Sequence, residues 1–232
     1  MLKLMIYPAA MGTYSTSPFC VKAALLLQHS GLAWEREDVA DPRKMPHGKL
    51  PVLQTSDGLV HDSGLIRNWL LARGAEFDAG LTNAELAIAH AMTRMAEEHM
   101  YFVLLLDRWG NDEIWPIIRD TYFLSIPPVL RSLITGRLRK TVLRGMLVQG
   151  LGRMSVHERL ERVEHDFAAI LAQLGDKPFL FGDAPTSADF SVVPVLEGMR
   201  ATPRTTDLSR RVGDDPLLCA YIDRMAQAVP LP

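Results

Sequence analysis

The stretch TSPFC, residues 16–20, sets the reading of the first third of the chain. Ser17 precedes Pro18, and a nearly uniform apolar run over 19–29 follows and stops at Gly31. Serine is a favoured helix cap, proline fits the first helical turn, and glycine fits the position just past a helix end. These residues predict a helix over 19–29 with Ser17 at its cap. Upstream, LKLMIY (2–7) is a short apolar run suited to a buried strand. Downstream, WEREDV (34–39) alternates as a second strand, and ADPRKMPHGK (40–49) is a loop with two prolines. PVLQT (51–55) and LVHDS (59–63) flank Asp57-Gly58, a hairpin signature. Ser63 is placed to cap a third element over 64–72. Strand, crossover helix and strand imply a parallel pair. The hairpin adds two antiparallel strands, so residues 1–75 are expected to hold a four-stranded mixed sheet.

Beyond a linker at 74–83 the periodicity turns helical. Over 82–109 one long helix is expected, with Ile88, Met92, Met95, His99, Phe102, Leu106 and Trp109 as its apolar stripe. Arg94, Glu98, Tyr101, Leu105 and Arg108 make a more polar stripe beside it. Two or three helices follow in 112–152, broken around IPP (126–128) and the glycines at 145, 150 and 152. Amphipathic helices are expected over 155–174, 186–199 and 216–228. Thr186 and Asp189 fit a capping box and read as structural. An α/β domain (1–75) is thus followed by an all-helical one (83–232).

Composition narrows the function. Apolar residues make up 48 % of the 232 residues and charged residues 22 %, with net charge −2. That is ordinary for a soluble globular protein and gives no electrostatic reason to expect a nucleic-acid partner. Cys20 and Cys219 lie far apart, so neither a disulfide framework nor a metal-ligand cluster is expected, and a reducing, cytoplasmic setting is the simplest reading. No signal peptide is expected at the start of the chain, and no apolar run is long enough to span a bilayer. The stretch 121–157 contains no Asp or Glu but six Arg or Lys residues. It is either a solvated helix face or a surface for an anionic ligand or membrane.

Four places carry a family resemblance: SPFC (17–20), GKLPVL (48–53), HDSGLI (61–66) and FGDAPTSADFSV (181–192). In this order, on this layout, the chain resembles the glutathione transferase superfamily. The run EEHMYF…DRW and the segment LGDKPFLFGDAPTSADF are similar to its Fax/metaxin-like branch. The resemblance implies a thioredoxin-like N-terminal domain, a helical C-terminal domain, a homodimer, and glutathione as cosubstrate with a small hydrophobic electrophile.

What it implies residue by residue can be set beside the plainer readings. Ser17 either only caps its helix or also donates a hydrogen bond to the glutathione thiolate, which the positive helix end favours as well. Ser15 and Tyr14 are rival hydroxyls. Cys20 sits at the resolving position of a dithiol enzyme, but Ser17 occupies the partner position, so a buried core cysteine is the plainer reading. The resemblance makes the bond before Pro51 cis and turns the main chain of Leu50 toward a bound peptide. Lys49 would meet the glycyl carboxylate, although the segment before it is shorter than in many transferases. Asp62 and Ser63 would hold the γ-glutamyl end at a helix start, or are ordinary caps. Tyr14, Tyr101 and Arg108 are candidates for the second-substrate pocket. Two alternatives stay open: a non-catalytic binding or scaffold protein, as in the metaxin-like relatives, and a glutathione-dependent thiol reductase acting through Cys20. A membrane-anchoring tail is not expected after VPLP, which favours the enzyme.

Overall fold

The computed structural model describes residues 1–203 and 206–232. Strands β1 (Leu2–Ile6) and β2 (Trp34–Asp38) pair in parallel across helix α1 (Pro18–His29). Strands β3 (Val52–Thr55) and β4 (Gly58–His61) form the hairpin, and β3 runs antiparallel to β1. The sheet order is β2-β1-β3-β4. Met5 lies opposite Val52, and Val52 opposite His61. The end of β1, the start of β3 and the end of β4 therefore meet at one edge of the sheet.

Helix α1 is buried from Cys20 to Leu27. It packs on β1, on α2 (Ser63–Leu71) and on α8 (Asp189–Ala201) of the helical half. Its all-round apolar sequence follows from these three neighbours. The other helices are α3 (Asn83–Met95), α4 (Tyr101–Trp109), α5 (Trp115–Tyr122), α6 (Pro128–Gln149), α7 (Val156–Leu174), α9 (Asp207–Gly213) and α10 (Pro216–Ala228).

Four expectations change. The cap of α2 is Asp62, not Ser63: its Oδ1 accepts from Gly64 N at 2.7 Å and Leu65 N at 3.3 Å. An acceptor-only carboxylate competes for those donors better than a hydroxyl that must also place its proton.

The long helix runs from α3 into α4 through a π-helical turn, Ala96–Met100. Such a turn holds an extra residue and slips the phase of everything after it. The buried apolar positions are Ala89, Met92, Ala96, Met100, Val103, Leu104 and Leu106; Met92 and Leu106 of the expected stripe are among them, whereas Ile88 is 43 % exposed. Arg108, expected on the polar side, is buried. The turn also brings Glu97 inward, where its Oε1 accepts from Lys22 Nζ of α1 at 2.5 Å.

Helix α6 runs unbroken through Gly136 and Gly145, because an exposed helical glycine weakens a helix without ending it. The helix expected over 186–199 begins at Asp189, and α9 was not anticipated at all. Thr186 does not cap α8, whose N-cap is Ala188 with no side-chain cap bond; of the expected box only the carboxylate's return bond forms, with Thr186 N and Oγ1 both donating to Asp189 Oδ2 at 2.8 and 2.7 Å. Asp189 Oδ1 takes two further donors, Leu180 N at 3.0 Å and Tyr221 OH at 2.6 Å. A buried carboxylate with four donors is a structural anchor.

Candidate functional site at the sheet edge

Three loops meet where the sheet ends, and each contains a strained residue. Among the described residues, those other than glycine with positive φ are Met11, His47 and Asp62, at 53°, 56° and 70°. Met11 lies in the loop after β1, His47 in the loop before β3, and Asp62 in the turn after β4. A side chain in this region costs about 1–3 kcal/mol, and such strain gathers where function fixes the backbone.

The first loop carries the hydroxyls. Ser15 is buried and donates its proton to Tyr7 O at 2.7 Å. A serine has one proton to give, so Ser15 has none left for a ligand. Tyr14 lies under the Arg36 guanidinium, 4.2 Å from its ring centre, with its hydroxyl oxygen shut off from solvent. Ser17 is half-buried and makes no side-chain cap bond to α1, contrary to expectation. The helix start is closed instead by the Ser17 carbonyl, which accepts from Cys20 N at 3.0 Å and Val21 N at 3.1 Å. Of the three rival hydroxyls, Ser17 alone is partly open and spends no side-chain bond on the helix; its hydroxyl lies beside the buried Cys20 sulfur.

Cys20 is fully buried one turn further in. Burial pushes its thiol up to about 11, and the Tyr7 backbone and the Ser17 and Ser15 hydroxyls beside the sulfur offset this only in part. A reductase needs an exposed thiol with a lowered pKa; Cys20 is the reverse, a core residue.

The second and third loops are joined. The Leu50–Pro51 bond is cis, and Pro51 O accepts from Asp62 N at 3.3 Å. The main-chain N–H and C=O of Leu50 have no backbone partner among the described residues. With Gly64 N and Leu65 N taken by Asp62, the donors left at the start of α2 are the Ser63 N–H and hydroxyl. Lys49 is exposed, and the ring of His47 stands edge-on to that of His61, 4.5 Å between centres.

The helical half closes over α1. Tyr101 stacks edge-on against Phe19 at 4.7 Å, and burial pushes its phenol up to about 12. Arg108 is spent on structure: it donates to Thr202 Oγ1 at 2.9 Å, Tyr122 OH at 2.6 Å and Gly198 O at 2.5 Å. Tyr14, Tyr101 and Arg108 are not brought together around one open cavity; the crevice between Pro18, Val21, Arg108 and Gly198 is closed. Gly198 escaped notice in the sequence. A Cβ there would lie 2.8 Å from Leu104 Cδ2 and 3.5 Å from Pro18 Cγ. A glycine inside an otherwise apolar helical run was the available signal.

A β2-β1-β3-β4 sheet with a cis-proline before β3, joined to an all-helical half, defines a thioredoxin-like domain carrying a helical partner domain. Family models of the glutathione S-transferase N-terminal and C-terminal domains match residues 18–115 and 153–224. The isoprene-epoxide–glutathione S-transferase of Rhodococcus sp. (strain AD45) is 32 % identical over 94 % of this chain and 95 % of its own. Human metaxin-2 is 26 % identical over 78 % of this chain and 70 % of its own. A glutathione S-transferase of Ceriporiopsis subvermispora, solved in complex with glutathione, shares the fold with TM-score 0.67 at 15 % identity, covering 100 % of this chain and 98 % of that one. The chain belongs to the glutathione S-transferase superfamily, with relatives on its metaxin-like branch.

Proposed function

We propose that the protein is a glutathione transferase that conjugates glutathione to small hydrophobic electrophiles, epoxides among them. The reading rests above all on the partly open Ser17 hydroxyl at the start of α1. The same sheet edge holds the unpaired Leu50 main chain and the Ser63 N–H and hydroxyl at the start of α2. The epoxide class comes from the named activity of the Rhodococcus relative.

In this scheme the Leu50 N–H and C=O pair with the cysteinyl backbone of glutathione, as an added strand would. Ser63 and the start of α2 receive the γ-glutamyl carboxylate. Asp62 attracts the γ-glutamyl ammonium, and Lys49 meets the glycyl carboxylate. Ser17 Oγ donates to the sulfur, and the α1 dipole favours its ionised form. The thiolate attacks an epoxide carbon; the C–S bond forms as the C–O bond opens. Tyr101, held protonated by burial, donates to the opening oxygen, and the resulting alkoxide takes its final proton from water. Arg108 holds that wall through α8, and Tyr14 fixes the hydroxyl loop. Positioning and electrostatics supply the rate.

Domains 1–75 and 83–232 supply the peptide site and the electrophile wall respectively. A cytoplasmic homodimer is proposed with this scheme. Two free cysteines agree with a reducing setting. Exposed Leu59, Leu65, Leu86 and Ile88 supply apolar area for a subunit contact.

Hydrogen bonds to charged groups contribute about 1.5–3 kcal/mol. Ser17→Ala is therefore expected to lower kcat/KM toward a small epoxide by about 10–100-fold, with glutathione affinity from calorimetry nearly unchanged. An unaltered rate would remove Ser17 from the mechanism. The metaxin relative supports a second, non-catalytic reading; absence of saturable glutathione binding up to millimolar concentration would establish that one instead.

A further inference from the structure

The acid-free stretch 121–157 has no part in the site above. Its centre is α6, a helix of 22 residues, about 33 Å long. Among its buried residues are Thr135 and Met146, eleven positions apart and so on nearly one line of the helix. At about 100° per residue, Arg137, Lys140 and Arg144 fall on the opposite side.

The six cations of this stretch divide into two sets. Arg131 donates to Ile126 O at 3.0 Å and lies 3.6 Å from Asp120. Arg139 donates to Trp109 O and Asp112, both at 2.7 Å, and Arg153 to Leu147 O at 2.8 Å. These three tie the helix down. Arg137, Lys140 and Arg144 are exposed and have no anionic partner among the described residues. Apolar side chains bracket them on the outward side. Val129 and Leu133 precede them at 91 % and 57 % exposed, and Leu147 and Val148 follow at 48 % and 79 %.

We propose that the outward face of α6 is a docking surface for an anionic lipid bilayer. Such a surface matches both features at once. Its headgroup phosphates face the three unpaired cations, whose flexible stems let the charged heads stay at phosphate depth. The flanking valines and leucines then sink to the acyl boundary, with the helix lying in the plane of the interface. Among the described residues no helix is long and apolar enough to cross a membrane, so contact is peripheral. A second copy meeting this face symmetrically would bring six unpaired cations together with no acid from 121–157 to oppose them. Nucleic acid would satisfy the cations but leave both apolar ends against phosphate.

The test is co-sedimentation of the full chain with vesicles of 30 % phosphatidylglycerol in phosphatidylcholine, compared with pure phosphatidylcholine. Binding to the anionic vesicles only is expected, and its loss in half-molar salt. Each cation near such a surface contributes about fivefold, so R137E/K140E/R144E is expected to bind at least about 100-fold more weakly. V129D/V148D should also weaken binding, while its residual binding keeps the salt dependence. Neither variant touches the proposed glutathione site, so conjugation activity is expected to be unchanged and reports correct folding. Protein left in the supernatant with anionic vesicles would overturn the proposal. So would equal binding to neutral vesicles. If light scattering shows the triple variant to be a monomer and the parent a dimer without vesicle binding, the face belongs to a second copy.

Discussion

Helices α1 and α6 are both rich in apolar residues, yet they end up in opposite places. Nine of the twelve residues of α1 are buried. Of the twenty-two in α6, Thr135 and Met146 are the buried ones. The difference is topological. Helix α1 is a crossover between parallel strands and so must lie on the sheet, and α8 covers its other side. Helix α6 leans on α4, on α5 and on the turn at Leu151–Arg153 that follows it, and most of its other residues face out. Apolar content tells how much surface a helix would gain by burying; the number of neighbours decides how much it does bury.

The contrast can be broken most severely at Lys22. It is buried in the apolar α1 and is held there by Glu97, with side-chain exposures of 4 % and 8 %. Lys22→Met takes away the buried partner of Glu97 and leaves it the half-exposed Arg94 at 3.7 Å, so a loss of up to about 3–5 kcal/mol is expected, read as a lower urea midpoint. The double variant K22M/E97M is expected to recover most of it. Failure to recover would mean that the pair does more than neutralise itself.

A direct comparison comes next. Leu26→Ala in α1 removes a fully buried side chain and is expected to cost about 2–5 kcal/mol. Leu133→Ala in α6 should stay within about 0.5 kcal/mol. Equal losses would show that α6 is covered in solution. Gly198→Ala presses on Leu104 and on Pro18 at the start of α1, so a loss of about 1–3 kcal/mol is expected. Conjugation should fall with it, since the strain reaches the residue next to Ser17.

A pH-dependent effect lies on α4, which packs against both α8 and α6. Burial pushes the Asp107 carboxyl up to about 6, with the Thr206 hydroxyl at 2.9 Å and the nearby Arg108 and Arg159 pulling it back in part. The folded state thus holds this proton more tightly than the unfolded chain does. The resulting stability is full below about pH 4 and is lost as pH rises through 6. Asp107→Asn should flatten the fall in Tm between pH 5 and 7.5 by the equivalent of about 1 kcal/mol. An unchanged slope in thermal melts would show that Asp107 does not titrate there.

Much of this was legible along the chain. The strands, the hairpin, α1, α7 and α10 follow from local pattern and punctuation, since each signal lies within a few residues of the element that it marks. The misreadings share another cause. The stripe of the long helix held only in part because the π-helical turn at Ala96–Met100 changes the period, and Glu97 turns inward toward a lysine 75 positions earlier in the sequence. Ser63 yielded its cap to Asp62 because the cap depends on an unusual backbone angle of 70° at that residue. The candidate hydroxyls could be named from sequence but not ranked. Ser15 donates its hydrogen bond to Tyr7 O, eight residues back, and only folded proximity makes that bond.

TSPFC by itself determined that a helix starts at Pro18 and that a hydroxyl stands before it, because turn and cap preferences are local. It did not determine what that hydroxyl does. The helix start is closed by the Ser17 carbonyl rather than its side chain. Ser15 is taken out of contention by its bond to Tyr7 O, and Tyr14 by the burial of its hydroxyl oxygen. Tertiary structure left Ser17 partly open at a sheet edge where two further loops hold unpaired main chain. Hydrogen-bond capacity is finite, and its allocation depends on which groups the fold brings within reach.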